Sequence, residues 1–144
     1  MYDEEFAKDK NDSNEVACIV NMLENKRTNF VKGERHGVDV DSDPDVYHLL
    51  RTAKPRSLIL CHNHPGLTDF SANDINVFMR YATIKVMTIV TNQGGVKYIL
   101  KNEKFNYKET IELMKKCKAE NNDDRGKSIE QFLKECHLVG IEAK

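Results

Sequence analysis

Apolar and polar positions follow two different periods along this chain, and the switches between them divide it into strands and helices. Glu15-Val16-Ala17-Cys18-Ile19-Val20 is an apolar run of strand length. The turn-like Glu24-Asn25-Lys26-Arg27 and the returning Thr28-Asn29-Phe30-Val31 complete a predicted hairpin. Gly33 and Gly37 then flank Glu34-Arg35-His36 in a loop. Asp43-Pro44 is a helix start, a capping carboxylate followed by proline, and Val46, Leu49, Leu50 and Ala53 share one face of that helix. Lys54-Pro55 stops it, and Ser57-Leu58-Ile59-Leu60-Cys61 reads as a buried strand. Ile75, Phe78, Met79 and Ala82 give a second amphipathic helix. Val86 to Thr91 and Val96 to Leu100, joined by Asn92-Gln93-Gly94-Gly95, predict another hairpin.

From Asn106 the pattern is helical, with Ile111, Met114 and Cys117 as one stripe. Asn121 to Gly126 breaks it, and a last helix is expected to begin at Ser128 and end near Gly140. Residues 1–13 are almost wholly polar and are expected to be a flexible terminus or a short helix. The order is hairpin, helix, strand, helix, hairpin, helices. It predicts an α+β (mixed α/β) fold with a central mixed β-sheet flanked by helices. One domain suffices for 144 residues, with 14–105 as its body and 106–144 as a helical extension packed on it.

Composition narrows the classes of function. The net charge is −1, so no global basic field points to nucleic acid. The acidic start Met1-Tyr2-Asp3-Glu4-Glu5 lacks the apolar core of a signal peptide, and no apolar run is long enough to span a membrane. Cys18, Cys61, Cys117 and Cys136 form no C-x-x-C pair and no compact framework. They read as reduced thiols, and the expected location is the cytoplasm.

The chemistry concentrates in His62-Asn63-His64-Pro65 and the following Ser71-x-x-Asp74. A strand alternates its side chains with a period of two, so His62 and His64 leave the end of the Ser57–Cys61 strand on one face. Pro65 cannot extend a ladder and Gly66 frees the backbone to turn. The chain re-enters a helix at Ser71, with Asp74 on its first turn. Two imidazoles and one carboxylate therefore converge at a strand-to-helix junction. With a fourth position left to water, they match the donor set of a catalytic zinc site. Ser71-x-x-Asp74 is also a capping box, and the two roles are compatible. Cys61 and Asn63 alternate to the opposite face, where Cys61 is expected to pack in the core and Asn63 to be structural. His36, His48 and His137 lack partners at ligand spacing and are expected at the surface.

These residues resemble the signature of the JAB/MPN (JAMM) metallopeptidase superfamily. The Asn between the histidines and the Pro after them are most similar to its bacterial RadC-like and phage-associated branch. Six residues, Pro65 to Phe70, separate the second His from the Ser, where the widespread form has seven. That shorter loop, ending in Phe-Ser, also resembles phage-type members. The resemblance covers roughly residues 14–104. It implies a JAB/MPN-like sheet with the layering of cytidine deaminases and a Zn2+ ion on His62, His64 and Asp74. It also implies a general-base Glu at the start of the first sheet strand and an oxyanion-stabilising role for Ser71.

Zinc on these ligands would lower the pKa of water to about 7 and polarise a carbonyl. A base must still move the proton to the leaving amine. Glu15, 47 residues before His62, opens the first predicted strand and matches the family position. Glu34, in a glycine-flanked loop, and Glu24, in a turn, are the alternatives. The expected activity is zinc-dependent hydrolysis of an amide or isopeptide bond in a peptide or protein. A non-catalytic MPN-like binding module is the first rival, although such modules usually lose the ligands or the Glu. A RadC-like link to DNA processing is the second. Nothing basic and aromatic clusters to support it: Lys97 and Lys101 stand apart and Tyr98 belongs to the hairpin core. A nucleotide deaminase would need His-x-Glu and Pro-Cys-x-x-Cys, both absent. An HNH nuclease is excluded because its three residues are dispersed rather than adjacent.

Overall fold

The computed structural model describes residues 16–28, 31–32, 43–64, 69–91 and 94–144, with Val31, Lys32, His64 and Thr91 described by their backbone. The expected flexible terminus, 1–13, lies outside these residues. In chain order the elements are β1 (Val16–Asn21), β2 (Lys26–Arg27), β3 (Val31–Lys32), α1 (Pro44–Thr52), β4 (Leu58–His64), α2 (Ala72–Arg80), β5 (Ile84–Thr91), β6 (Val96–Lys101), α3 (Tyr107–Glu120), α4 (Arg125–Glu135) and β7 (Ile141–Ala143). A 3-10 turn over Cys136–Val139 precedes β7. The fold is α+β, with one mixed sheet in the order β2-β1-β4-β5-β6-β7 and β3 also paired to β1. β4 lies between antiparallel β1 and parallel β5, and α2 makes the crossover between β4 and β5. No helix among the described residues is long and apolar enough to cross a membrane.

Strand alternation decides which side chains face the helices. Ala17, Ile19, Leu58, Leu60, Met87, Ile89 and Ile99 share one core with side chains from all four helices. Val16, Cys18 and Cys61, with Val20 and Ile59, form a smaller cluster on the other face. Burying a branched or aromatic side chain contributes about 1.5–3 kcal/mol, so the larger cluster dominates the stability. Leu113, Met114 and Cys117 of α3 and Ile129 and Phe132 of α4 belong to it, which joins the C-terminal helices to the sheet.

Helix ends follow their capping residues. Asp43 accepts hydrogen bonds from the N–H groups of Asp45 and Val46, both at 3.0 Å, with Pro44 in the first turn. α4 begins at Arg125 rather than Ser128 because Asp124 is the cap, its Oδ1 accepting from the Lys127 N–H at 2.8 Å. Ser128 lies inside the helix, where its hydroxyl donates to the Asp124 carbonyl at 2.6 Å. The buried stripe of α3 is Thr110, Leu113, Met114 and Cys117, with Ile111 only half-buried. The helical pattern near the C-terminus ends before Gly140, which adopts φ +85°. Ile141–Ala143 then pairs with β6 as a strand that the sequence pattern did not predict.

Candidate metal centre

The apolar run alone places the end of the central strand at Cys61, whereas β4 continues to His64. Backbone pairing is the reason. Ala17 of β1 lies opposite His62 on one side, while Ile89, Val90 and Thr91 of β5 lie opposite His62, Asn63 and His64 on the other. Polar side chains do not end a strand whose backbone keeps ladder partners, here from both edges at His62 and from β5 at Asn63 and His64. Both histidines are therefore on strand backbone, and His62 is on the face covered by the helices.

α2 brings the carboxylate to the same place. Ser71 is its N-cap, and the capping box is complete: Ser71 Oγ accepts from the Asp74 N–H at 3.1 Å, and Asp74 Oδ2 accepts from the Ser71 N–H at 2.8 Å. That bond fixes the rotation of the carboxyl group and turns Oδ1 toward the sheet. His62 Nε2 stands 3.2 Å from Asp74 Oδ1, and both side chains are largely buried, at 5% and 11% exposure. Two donor atoms each ~2.0–2.1 Å from one tetrahedral zinc stand about 3.3 Å apart. A hard carboxylate oxygen and an imidazole nitrogen at this spacing therefore fit a shared zinc ion, and they also suit a direct ion pair. His64 lies two residues further along the strand, described by its backbone. Among the described residues no cluster of three His, Cys, Asp or Glu side chains forms a metal site.

The structure brings Ser71, Asp74 and His62 together. The cap uses an oxygen lone pair of Ser71 and leaves its hydroxyl proton available to another acceptor. Ser71 is exposed, so that acceptor can come from solution. Glu15 and Glu34 lie outside the described residues. The start of β1 nonetheless runs beside the histidine end of β4, since Ala17 is opposite His62. Glu24 is exposed in the turn after β1, at the far end of the sheet where Asn21 pairs with Leu58. His62 lies four residue steps along β4 from that pair, roughly 13 Å at ~3.3 Å per residue. Glu24 is therefore remote from the site.

Asn63 has the structural role its alternation implies. It is fully buried, and its Oδ1 accepts from the Val16 N–H at 2.6 Å, tying the first residue of β1 to the strand of the histidines. Cys61 packs on the same face with Cys18, its direct cross-strand neighbour. No disulfide joins any of the four cysteines, all buried, and burial pushes the Cys136 thiol up to about 11. His48 and His137 are exposed, and His36 lies outside the described residues.

Two lysines differ from the isolated cations expected of them. Lys97 lies on the cross-strand row of His62, because Ile89 is opposite both residues. Its Nζ pairs with Asp69 Oδ2 at 3.0 Å, holding β6 to the segment that leads into the Ser71 cap. Lys101 is 1% exposed. Its Nζ donates to the Tyr81 carbonyl at 2.8 Å and sits 4.7 Å and 5.1 Å over the rings of Phe78 and Phe105. Burial, and then the nearby Arg56 charge, lower its pKa to about 7. In the sequence, Lys97 and Lys101 are strand residues like any others; only the pairing of strands and the docking of α2 give them partners.

Comparison of the chain with protein-family models, curated proteins and solved structures gives no match.

Proposed function

We propose that this chain is a zinc-dependent metallopeptidase or isopeptidase of the JAMM kind, acting on an amide bond of a peptide or protein. The observation that carries the reading is the 3.2 Å approach of Asp74 Oδ1 to His62 Nε2, with Asp74 Oδ2 already committed to the Ser71 N–H. A carboxylate held by its helix cap and aimed at a buried imidazole is preorganised for a cation. His62, His64 and Asp74 would hold the ion. Zinc bound by them would supply Lewis acidity, activating water and polarising the scissile carbonyl.

The chain's own residues do the rest. Glu15 takes a proton from the attacking water and returns it to the departing amine. The Ser71 hydroxyl donates to the developing oxyanion of the substrate; losing one such donor lowers the rate by about 10²–10³ in known enzymes. Asn63 ties Val16, the residue after Glu15, to the strand of the histidines.

Elemental analysis of the purified protein, paired with a peptide-library cleavage screen, tests this. One zinc per chain is expected, lost in His62→Ala and kept in Glu15→Gln, with cleavage abolished in both. No transition metal in the wild type, or undiminished cleavage in Glu15→Gln, would refute the reading. Retained zinc and tight binding of a protein without cleavage would favour the non-catalytic module.

A further inference from the structure

On the side of α2 away from Asp74, a groove of about 380 Å³ opens between α2, α3 and α4. Helical spacing separates the two faces. Asp74 is buried toward the sheet, whereas Asn73 and Asn76 are exposed and line the groove. Its floor is apolar, made by Met114 and Ile129, each only 7% exposed. Lys118 near the end of α3 and Arg125 at the start of α4 line it as well.

The charges are unevenly matched. Among the described residues Lys118 and Arg125, like most of the exposed cations, make no ion pair; what distinguishes them is that both line one groove. Asp123 is the one acidic side chain lining the groove, so the balance there is positive. The Asn73 and Asn76 side chains likewise make no hydrogen bond among the described residues and can donate to a ligand oxygen. The buried Ser128 hydroxyl is already used by the Asp124 carbonyl and offers nothing. Small-molecule sites have this makeup: an apolar floor, few convergent polar groups, and a volume of about 300–1,000 Å³. At the small end of that range, the groove suits a small ligand.

We propose that this groove is a second binding site, for a small amphipathic anion: an oxyanion, carboxylate or phosphate, carried on a short apolar chain. The oxyanion lies between the Arg125 guanidinium, whose planar fork matches two oxygens at once, and the Lys118 ammonium. The apolar chain covers Met114 and Ile129. Asn73 and Asn76 tie the ligand to α2, so binding links α2 to the C-terminal helices.

The test is a two-dimensional amide NMR titration of the full chain with three probes: inorganic phosphate, n-butyl phosphate and n-butanoate. At least one butyl probe is expected to give saturable shifts confined to residues 72–76 and 114–129, and the stronger of the two should bind about tenfold tighter than inorganic phosphate. The stronger of the two butyl probes identifies the preferred oxyanion. The exposed double substitution K118Q/R125Q should weaken binding at least tenfold with an otherwise unchanged spectrum. Shifts scattered over the lysines of the whole surface, no saturation by either butyl probe, a stronger butyl probe that binds no tighter than inorganic phosphate, or undiminished binding by the double variant would each overturn the assignment. None of these readouts depends on metal or on peptide cleavage.

Discussion

Replacing Lys101 with methionine should change how stability depends on pH more than it changes the fold. The methionine keeps most of the apolar stem between Phe78 and Phe105 and removes the charge. The Tyr81 carbonyl loses the ammonium but keeps the Ile84 N–H as a partner at 3.1 Å. In the wild type the folded-state pKa is lowered from 10.5 to about 7, chiefly by burial and then by Arg56. Below pH 7 the amine is charged in both states, and the folded protein bears the full cost of burying it. Between pH 7 and 10.5 the folded chain holds it neutral while the unfolded chain still binds the proton. Stability therefore rises with pH across that window and levels off above it. At ~1.4 kcal/mol per pKa unit the full shift corresponds to roughly 5 kcal/mol as an upper bound. The two ring faces and the Tyr81 carbonyl favour the charged form, so about 2–4 kcal/mol is expected to be realised. Urea unfolding of both proteins from pH 6 to 10 measures it. Lys101→Met should be the more stable of the two at pH 6 and lose that advantage by pH 10. Parallel curves for the two proteins would mean that Lys101 stays charged throughout, and the burial argument would fail.

Four further substitutions each test a single contact. Gly140→Ala should destabilise by more than ~2 kcal/mol, read as a lowered urea midpoint, because a Cβ there would run into the backbone of Lys104 and Phe105 at a φ of +85° that alanine disfavours. Asn63→Leu leaves the buried Val16 N–H without its 2.6 Å acceptor and should cost about 1–3 kcal/mol by the same measurement. Ser71→Ala should cost about 1 kcal/mol through the lost cap while leaving zinc content unchanged, whereas Asp74→Asn should lower zinc content sharply; equal zinc in wild type and Asp74→Asn would reduce Asp74 to a cap.

The sequence by itself determined the elements whose signals are local. Asp43-Pro44 and Ser71-x-x-Asp74 marked helix starts because a cap acts within four residues. Strand alternation put Asn63 and Cys61 on the face opposite His62. The tandem His-x-His and the downstream Asp could be linked because a strand, a short loop and one helical turn leave little choice of placement. What depends on distant segments came only from tertiary structure. β4 runs through its histidines because β1 and β5 supply backbone partners there. The tail forms β7 because β6 offers it an edge, a fact absent from three residues taken alone. Lys97 finds Asp69, 28 positions away, and Lys101 becomes a buried amine only when α2 ends above β6. Charge, burial and pKa at these lysines are properties of packing, and packing brings together residues whose separation along the chain carries no local signal.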